Sequence, residues 1–139
     1  MKLVALTELQ RCEEALAVAE TALASAPELA LAWQSKGVLL LKLQRPAEAV
    51  EALDRALTVD DRLPSAWIHK GAALLQLDLP QEATAAFDRA LELLPKDAMA
   101  LRGKRQARAM RTRDVLGRHG EVGLRVLLEI LGRWPGSGH

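Results

Sequence analysis

The 139-residue sequence predicts an all-α chain, a solenoid of stacked antiparallel helix pairs, and two observations carry that prediction. The first is an internal repeat. Laid against itself at an offset of 34 residues, the chain aligns without a gap. Trp33 falls on Trp67, Lys36 on Lys70, Gly37 on Gly71, Pro46 on Pro80, and Asp54-Arg55-Ala56-Leu57 on Asp88-Arg89-Ala90-Leu91. From 32 to 57, 15 of 26 positions recur, and a bias toward leucine and alanine does not pair tryptophans, glycines and prolines. Periods of this length mark structural repeats that bury their apolar faces on one another. The second observation is composition. Leucine (27) and alanine (24) dominate, with one Phe and no Tyr, which favours helices and leaves strands without their usual aromatic residues.

The elements follow in order as helices near 1–9, 12–25, 30–43, 46–58, 64–77, 80–93, 97–116 and 121–133. The first is shortened and pairs with the second. Pro27, Pro64 and Pro95 fall at boundaries, where the residue before a proline resists helical geometry. Pro46 and Pro80 fit the first turn of a helix, whose leading N–H groups lack partners in any case. Gly37 and Gly71 sit inside helices at a cost of about 1 kcal/mol each relative to alanine. Their recurrence points to another helix approaching closely. Ala49 and Ala56, then Ala83 and Ala90, recur seven residues apart on the second helices and mark a face with little room. Downstream the phase slips by six residues, and Gly123, Leu127, Ile130 and Pro135 echo the pattern loosely. Gly117, Gly120 and Gly123 suggest a flexible junction there, and residues 136–139 a disordered tail.

At these residues the chain resembles the tetratricopeptide repeat family, whose pattern is W-x2-L-G-x2-Y, then A-x3-F-x2-A, then Pro. One copy reads Trp33, Lys36, Gly37, Leu40, Ala49, Leu53 and Ala56. The next reads Trp67, Lys70, Gly71, Leu74, Ala83, Phe87, Ala90 and Pro95. Lysine replaces the usual Leu at 36 and 70, and leucine replaces Tyr at 40 and 74. The resemblance implies a right-handed superhelix and one domain over 1–135. Its repeats run at about 1–29, 30–63 and 64–97, with an irregular helix pair over 98–135. It also implies a non-catalytic protein-interaction module rather than an enzyme.

The chemistry-bearing residues agree. His69, His119 and His139 are the only histidines, without a partner at metal-ligand spacing, and Cys12 has no base near it in sequence. G-x2-G-x2-G at 117–123 is neither a phosphate loop nor a dinucleotide fingerprint. No cofactor or metal is expected. Apolar runs reach four residues, short of a membrane span, and MKLVALTELQ lacks a signal-peptide core. Cytoplasm is the default location.

In stacked hairpins the first helix of each pair lines one concave face. The positions free to face it are Leu31, Gln34, Ser35, Val38, Leu41 and Lys42, then Ser65, Ile68, His69, Ala72, Leu75 and Gln76. The long basic helix adds Arg102 and Gln106, beside Met99, Gly103 and Met110. Leu41, Ile68, Leu75 and Met110 either pack against neighbouring repeats or anchor an extended peptide or partner helix. The lysine/asparagine clamp of the family's chaperone-binding subclass is missing, since its places hold Gln34, Val38, His69, Met99 and Gly103, or in the preceding frame Val4, Ser35, Ser65 and His69. Residues 1–101 carry 10 Lys/Arg against 15 Asp/Glu, whereas 102–139 carry 9 against 3. The cations gather as Arg102, Lys104, Arg105, Arg108, Arg111 and Arg113, a solvated face or a contact for an acidic protein segment. Phosphate or nucleic acid is a weaker alternative, because aromatic platforms for base stacking are scarce. The short first helix and the apolar last one point either to a piece of a longer repeat protein or to self-association through an end, by residues such as Leu128 and Trp134.

Overall fold

The computed structural model describes the backbone of residues 2–132 and the side chains of 7–113, 125 and 128–132. Trp134, Pro135 and the expected tail at 136–139 lie outside the described residues. Six helices follow one another: α1 (Lys2–Ser25), α2 (Ala30–Lys42), α3 (Pro46–Val59), α4 (Pro64–Gln76), α5 (Pro80–Leu93) and α6 (Ala98–Ile130). The described fold is all-helical, as the repeat predicts.

The hairpins α2–α3 and α4–α5 are copies of one unit, down to their turns. Arg45 N–H donates to the Leu40 carbonyl and Gln44 N–H to the Leu41 carbonyl; Leu79 and Asp78 repeat this with Leu74 and Leu75. These paired bonds close the first helix with a residue in the left-handed region, Gln44 at φ 59° and Asp78 at φ 60°. Pro46 and Pro80 then open the next helix, with a fixed φ and no N–H to satisfy.

The two ends depart from the expected helix pairs. The predicted helices 1–9 and 12–25 form the single helix α1, and 97–116 and 121–133 form one 33-residue helix, α6. The Gly117–Gly123 segment is helical throughout and not a flexible junction. The cause is missing turn chemistry. One repeat after Asp78 and Pro80 stand Thr112 and Asp114, and one repeat before Gln44 and Pro46 stand Gln10 and Cys12. Thr is β-branched and resists positive φ, and without proline nothing stops the hydrogen-bond ladder. At its start α6 is held by Asp97, whose carboxylate accepts the Ala100 N–H at 2.9 Å.

The core is layered by repeat. Leu16, Leu40, Leu41, Ala49, Ala52 and Ala73 form one cluster, and Leu53, Leu57 and Ala66 another. A third gathers Ile68, Leu74, Ala83, Ala86, Phe87, Ala90, Ala100 and Ala107. The expected motif residues sit in it as the pattern requires: Ala49, Ala56, Ala83 and Ala90 are fully buried. Gly37 makes room for Leu53, since a Cβ there would lie 2.6 Å from Leu53 Cγ. Gly71 does the same for Phe87, and Gly103 makes room for the same ring. Trp33 and Trp67 each donate an indole N–H to a carbonyl six residues back, Pro27 and Asp61, and each ring has two cations within about 6 Å of its centroid. No helix among the described residues is long and apolar enough to cross a membrane.

Candidate functional site

The first helices α2, α4 and α6 touch one another directly, whereas α3 and α5 meet far less. The strip is therefore tighter on the α2–α4–α6 side, which is its concave side. Over their paired lengths these helices carry no acidic residue at all: none in α2, none in α4 and none in residues 98–113 of α6. Before residue 114 the helical acids all lie on α1, α3 and α5, with Glu28, Asp60, Asp61, Asp78 and Asp97 in the connections and Asp114, Glu121 and Glu129 further along α6.

Three lysines tie the two sets together. Lys36 pairs with Glu20 at 3.7 Å, Lys70 with Asp54 at 2.7 Å and Lys104 with Asp88 at 2.7 Å, each reaching the second helix of the preceding unit. These pairs recur every 34 residues and consume one cation per repeat, so Lys104 of the basic cluster is a structural partner of Asp88. Arg102, Arg105, Arg108, Arg111 and Arg113 remain exposed, with no ion pair among the described residues.

The predicted face divides into three groups. Leu31, Ser35, Lys42, Ser65, Gln76, Arg102 and Gln106 are exposed, Leu31 by 67%. Gln34, Val38, His69, Ala72 and Leu75 are half-buried along the same strip. Leu41 and Ile68, by contrast, are core residues at 9% and 7% exposure and are not free anchors. Each packs in a cluster that joins neighbouring units, Leu41 with Ala73 and Ile68 with Ala100. Leu75 packs partly against the second of these. The exposed apolar groups are Leu31 and, at 60%, Met99, two repeats apart in the same register.

Two polar groups on this face are defined in detail. His69 Nδ1–H donates to the Ser65 carbonyl at 2.6 Å, which fixes the ring and leaves Nε2 as its second nitrogen. Gln34 Oε1 is buried and has no hydrogen-bond partner among the described residues. Sequence reasoning missed that acceptor, because nothing in the chain's periodicity reports which polar atoms stay unpaired. It also missed Gly103 as a packing residue, since its place differs by two from the register of Gly37 and Gly71.

A second depression lies between α1, α2 and α3, bordered by Glu20, Trp33, Lys36, Leu40, Glu48 and Arg55. Of its charges, Lys36 pairs with Glu20 and Glu48 with Arg45, and Lys36 and Arg55 lie over the Trp33 ring. Among the described residues no three His, Cys, Asp or Glu side chains gather as a metal site.

A family model described as Tetratricopeptide repeat matches residues 4–65 and again 35–98. The chain belongs to the tetratricopeptide repeat family. The first TPR domain of the human RPAP3 protein is similar in structure, with a TM-score of 0.72 at 20% identity over 81% of this chain and 94% of that one. The first TPR of Spaghetti (RPAP3), bound to an HSP90 peptide, gives 0.71 at 20% identity over 74% and 82%. The Sgt2 TPR domain from Aspergillus fumigatus gives 0.71 at 19% over 85% and 78%. At such identities the likeness shows the fold alone, the right-handed α-solenoid expected from the sequence. A comparison with curated protein sequences finds no match.

Proposed function

We propose that this chain, read as one domain over residues 1–135, is a non-catalytic protein-interaction module. It holds an extended peptide or a partner helix against the concave face of α2, α4 and the first half of α6. The observation that carries this reading is an open concave face with no acid on α2, α4 or residues 98–113, backed by acid-bearing α1, α3 and α5. Leu31 and Met99 offer apolar contact at its rim, Met99 with an adaptable, polarizable side chain. Lys42 and Arg102 favour acidic groups on the ligand, and the orphaned Gln34 acceptor calls for a ligand N–H or O–H. The solved TPR neighbour bound to an HSP90 peptide is a precedent for peptide binding on this fold. A chaperone tail is not the ligand read here, because the clamp positions hold Gln34, Val38, His69, Met99 and Gly103.

The test is selection of binders from a displayed random-peptide library, with Leu31→Glu/Met99→Glu beside the parent chain. Both sites are exposed, so the variant keeps its fold, checked by an unchanged Tm. Selected peptides should lose about tenfold or more in affinity for the variant, because two carboxylates then replace the exposed apolar contacts of the face. Equal affinity for both chains contradicts the concave site.

A further inference from the structure

Both ends of the strip are half of a helix pair, and the two halves are complementary. Residues 12–25 of α1 stand in the register of α3 and α5, one and two repeats on. In α3 and α5 the face turned to the first helix is sealed: Ala49, Ala52, Leu53, Ala83, Ala86 and Phe87 are at most 3% exposed. In α1 the same register is open. Ala15 is exposed, Ala19 half-buried, and Val18, the counterpart of Ala52, is 69% exposed. Among the described residues nothing covers this face of α1.

The other end mirrors it. The start of α6 stands in the register of α2 and α4. Where those helices turn Trp33, Gly37 and Leu40, or Trp67, Gly71 and Leu74, to their partner, α6 carries Leu101, Arg105 and Arg108, all exposed. Among the described residues nothing covers this face of α6 either. We infer that copies of this chain join head to tail, α6 of one packing antiparallel on α1 of the next and completing one junction repeat.

Three features fit these two helices to each other. Size is exchanged across the junction: a glycine faces Leu53 or Phe87 within the chain, whereas long Arg105 would meet small Ala19. Charge matches as well. Leu40 and Glu48 border the same depression in the first hairpin, and their counterparts at the junction are Arg108 and Glu14, a cation beside a carboxylate. More broadly, residues 98–113 hold six cations and no acid, and α1 holds four acids against two cations. Length matches too. Residues 111–130 of α6 run beyond the point where α2 and α4 end, and α1 begins ten residues before the start shared by α3 and α5. In an antiparallel pair both overruns extend toward the same end and lie side by side. A head-to-tail contact of this kind uses two different surfaces and propagates, so assembly continues beyond two copies.

Sedimentation equilibrium of the whole chain over a concentration series tests this. The expected mass rises past two copies with concentration and falls with added salt, as the Arg108–Glu14 contact is screened. Arg108→Glu and Glu14→Arg change exposed residues, and circular dichroism verifies that each variant stays helical. Each alone should weaken association about tenfold or more. Mixing the two variants should restore it, because unchanged Arg108 of one chain meets unchanged Glu14 of the other, and the two reversed residues also match. A mass fixed at one copy or at two overturns the inference. So does an assembly sensitive to only one of the substitutions, or a mixture that stays apart.

Discussion

The first helices α2 and α4 and the second helices α3 and α5 come from the same repeat, yet they do different work. Each second helix is sharply two-sided, with alanines at zero exposure on one face and the acids on the other. The first helices are buried on more than one side, because α4 touches α2, α3, α5 and α6. What they leave open is a narrow, acid-free strip. Stability therefore depends on how the two sets interlock, and recognition on what the first set leaves uncovered.

The sharpest way to break the interlock is to remove a plug. Phe87, 2% exposed between Gly71 and Gly103, should cost about 3–5 kcal/mol as Phe87→Ala. Leu53→Ala should cost less within its own range of about 2–5 kcal/mol, since Leu53 fills a smaller space against Gly37. Urea denaturation of both variants checks the order, and a smaller loss at Phe87 contradicts this packing account.

Refilling the glycine sites comes next. A methyl at Gly103 would overlap the flat, rigid Phe87 ring, so Gly103→Ala should destabilise by roughly 1–3 kcal/mol despite a helix-propensity gain near 1 kcal/mol. In a Phe87→Leu background that loss should largely disappear, and a loss that persists places the strain elsewhere. Gly37→Ala should be milder, because its methyl meets the branched tip of Leu53, which can turn aside.

The smallest effect belongs to the ladder between the sets. The Lys70–Asp54 pair has side chains 24% and 49% exposed, so Asp54→Asn should cost roughly 0.2–1 kcal/mol and nothing measurable in high salt. Thermal melts at two ionic strengths check this. A larger, salt-independent loss would make the pair part of the core.

The repeat made most of the fold legible. Paired Trp, Gly, Ala and Pro placed the four central helices within a residue or two, because each has a packing or turn duty that admits few substitutes. The breaks expected near residues 10 and 117–120 do not form, because the helical pattern runs on there without turn residues to stop it. Thr112 and Asp114 already lack the left-handed residue and the proline that end α2 and α4. The concave face was only partly legible. Leu41 and Ile68 lie at the seam where one first helix meets its neighbour, and a single helix's periodicity does not distinguish a seam from an open strip. Gly103 answers to the Phe87 ring, a demand visible only once α5 and α6 are side by side.

The most direct test of the central claim is a backbone-amide NMR shift map of the chain titrated with a library-selected peptide. The account predicts shifts concentrated on α2, α4 and α6 around Leu31, Ser35, His69, Gln76, Arg102 and Gln106. Shifts confined to α3 and α5, with the concave strip unmoved, would contradict it.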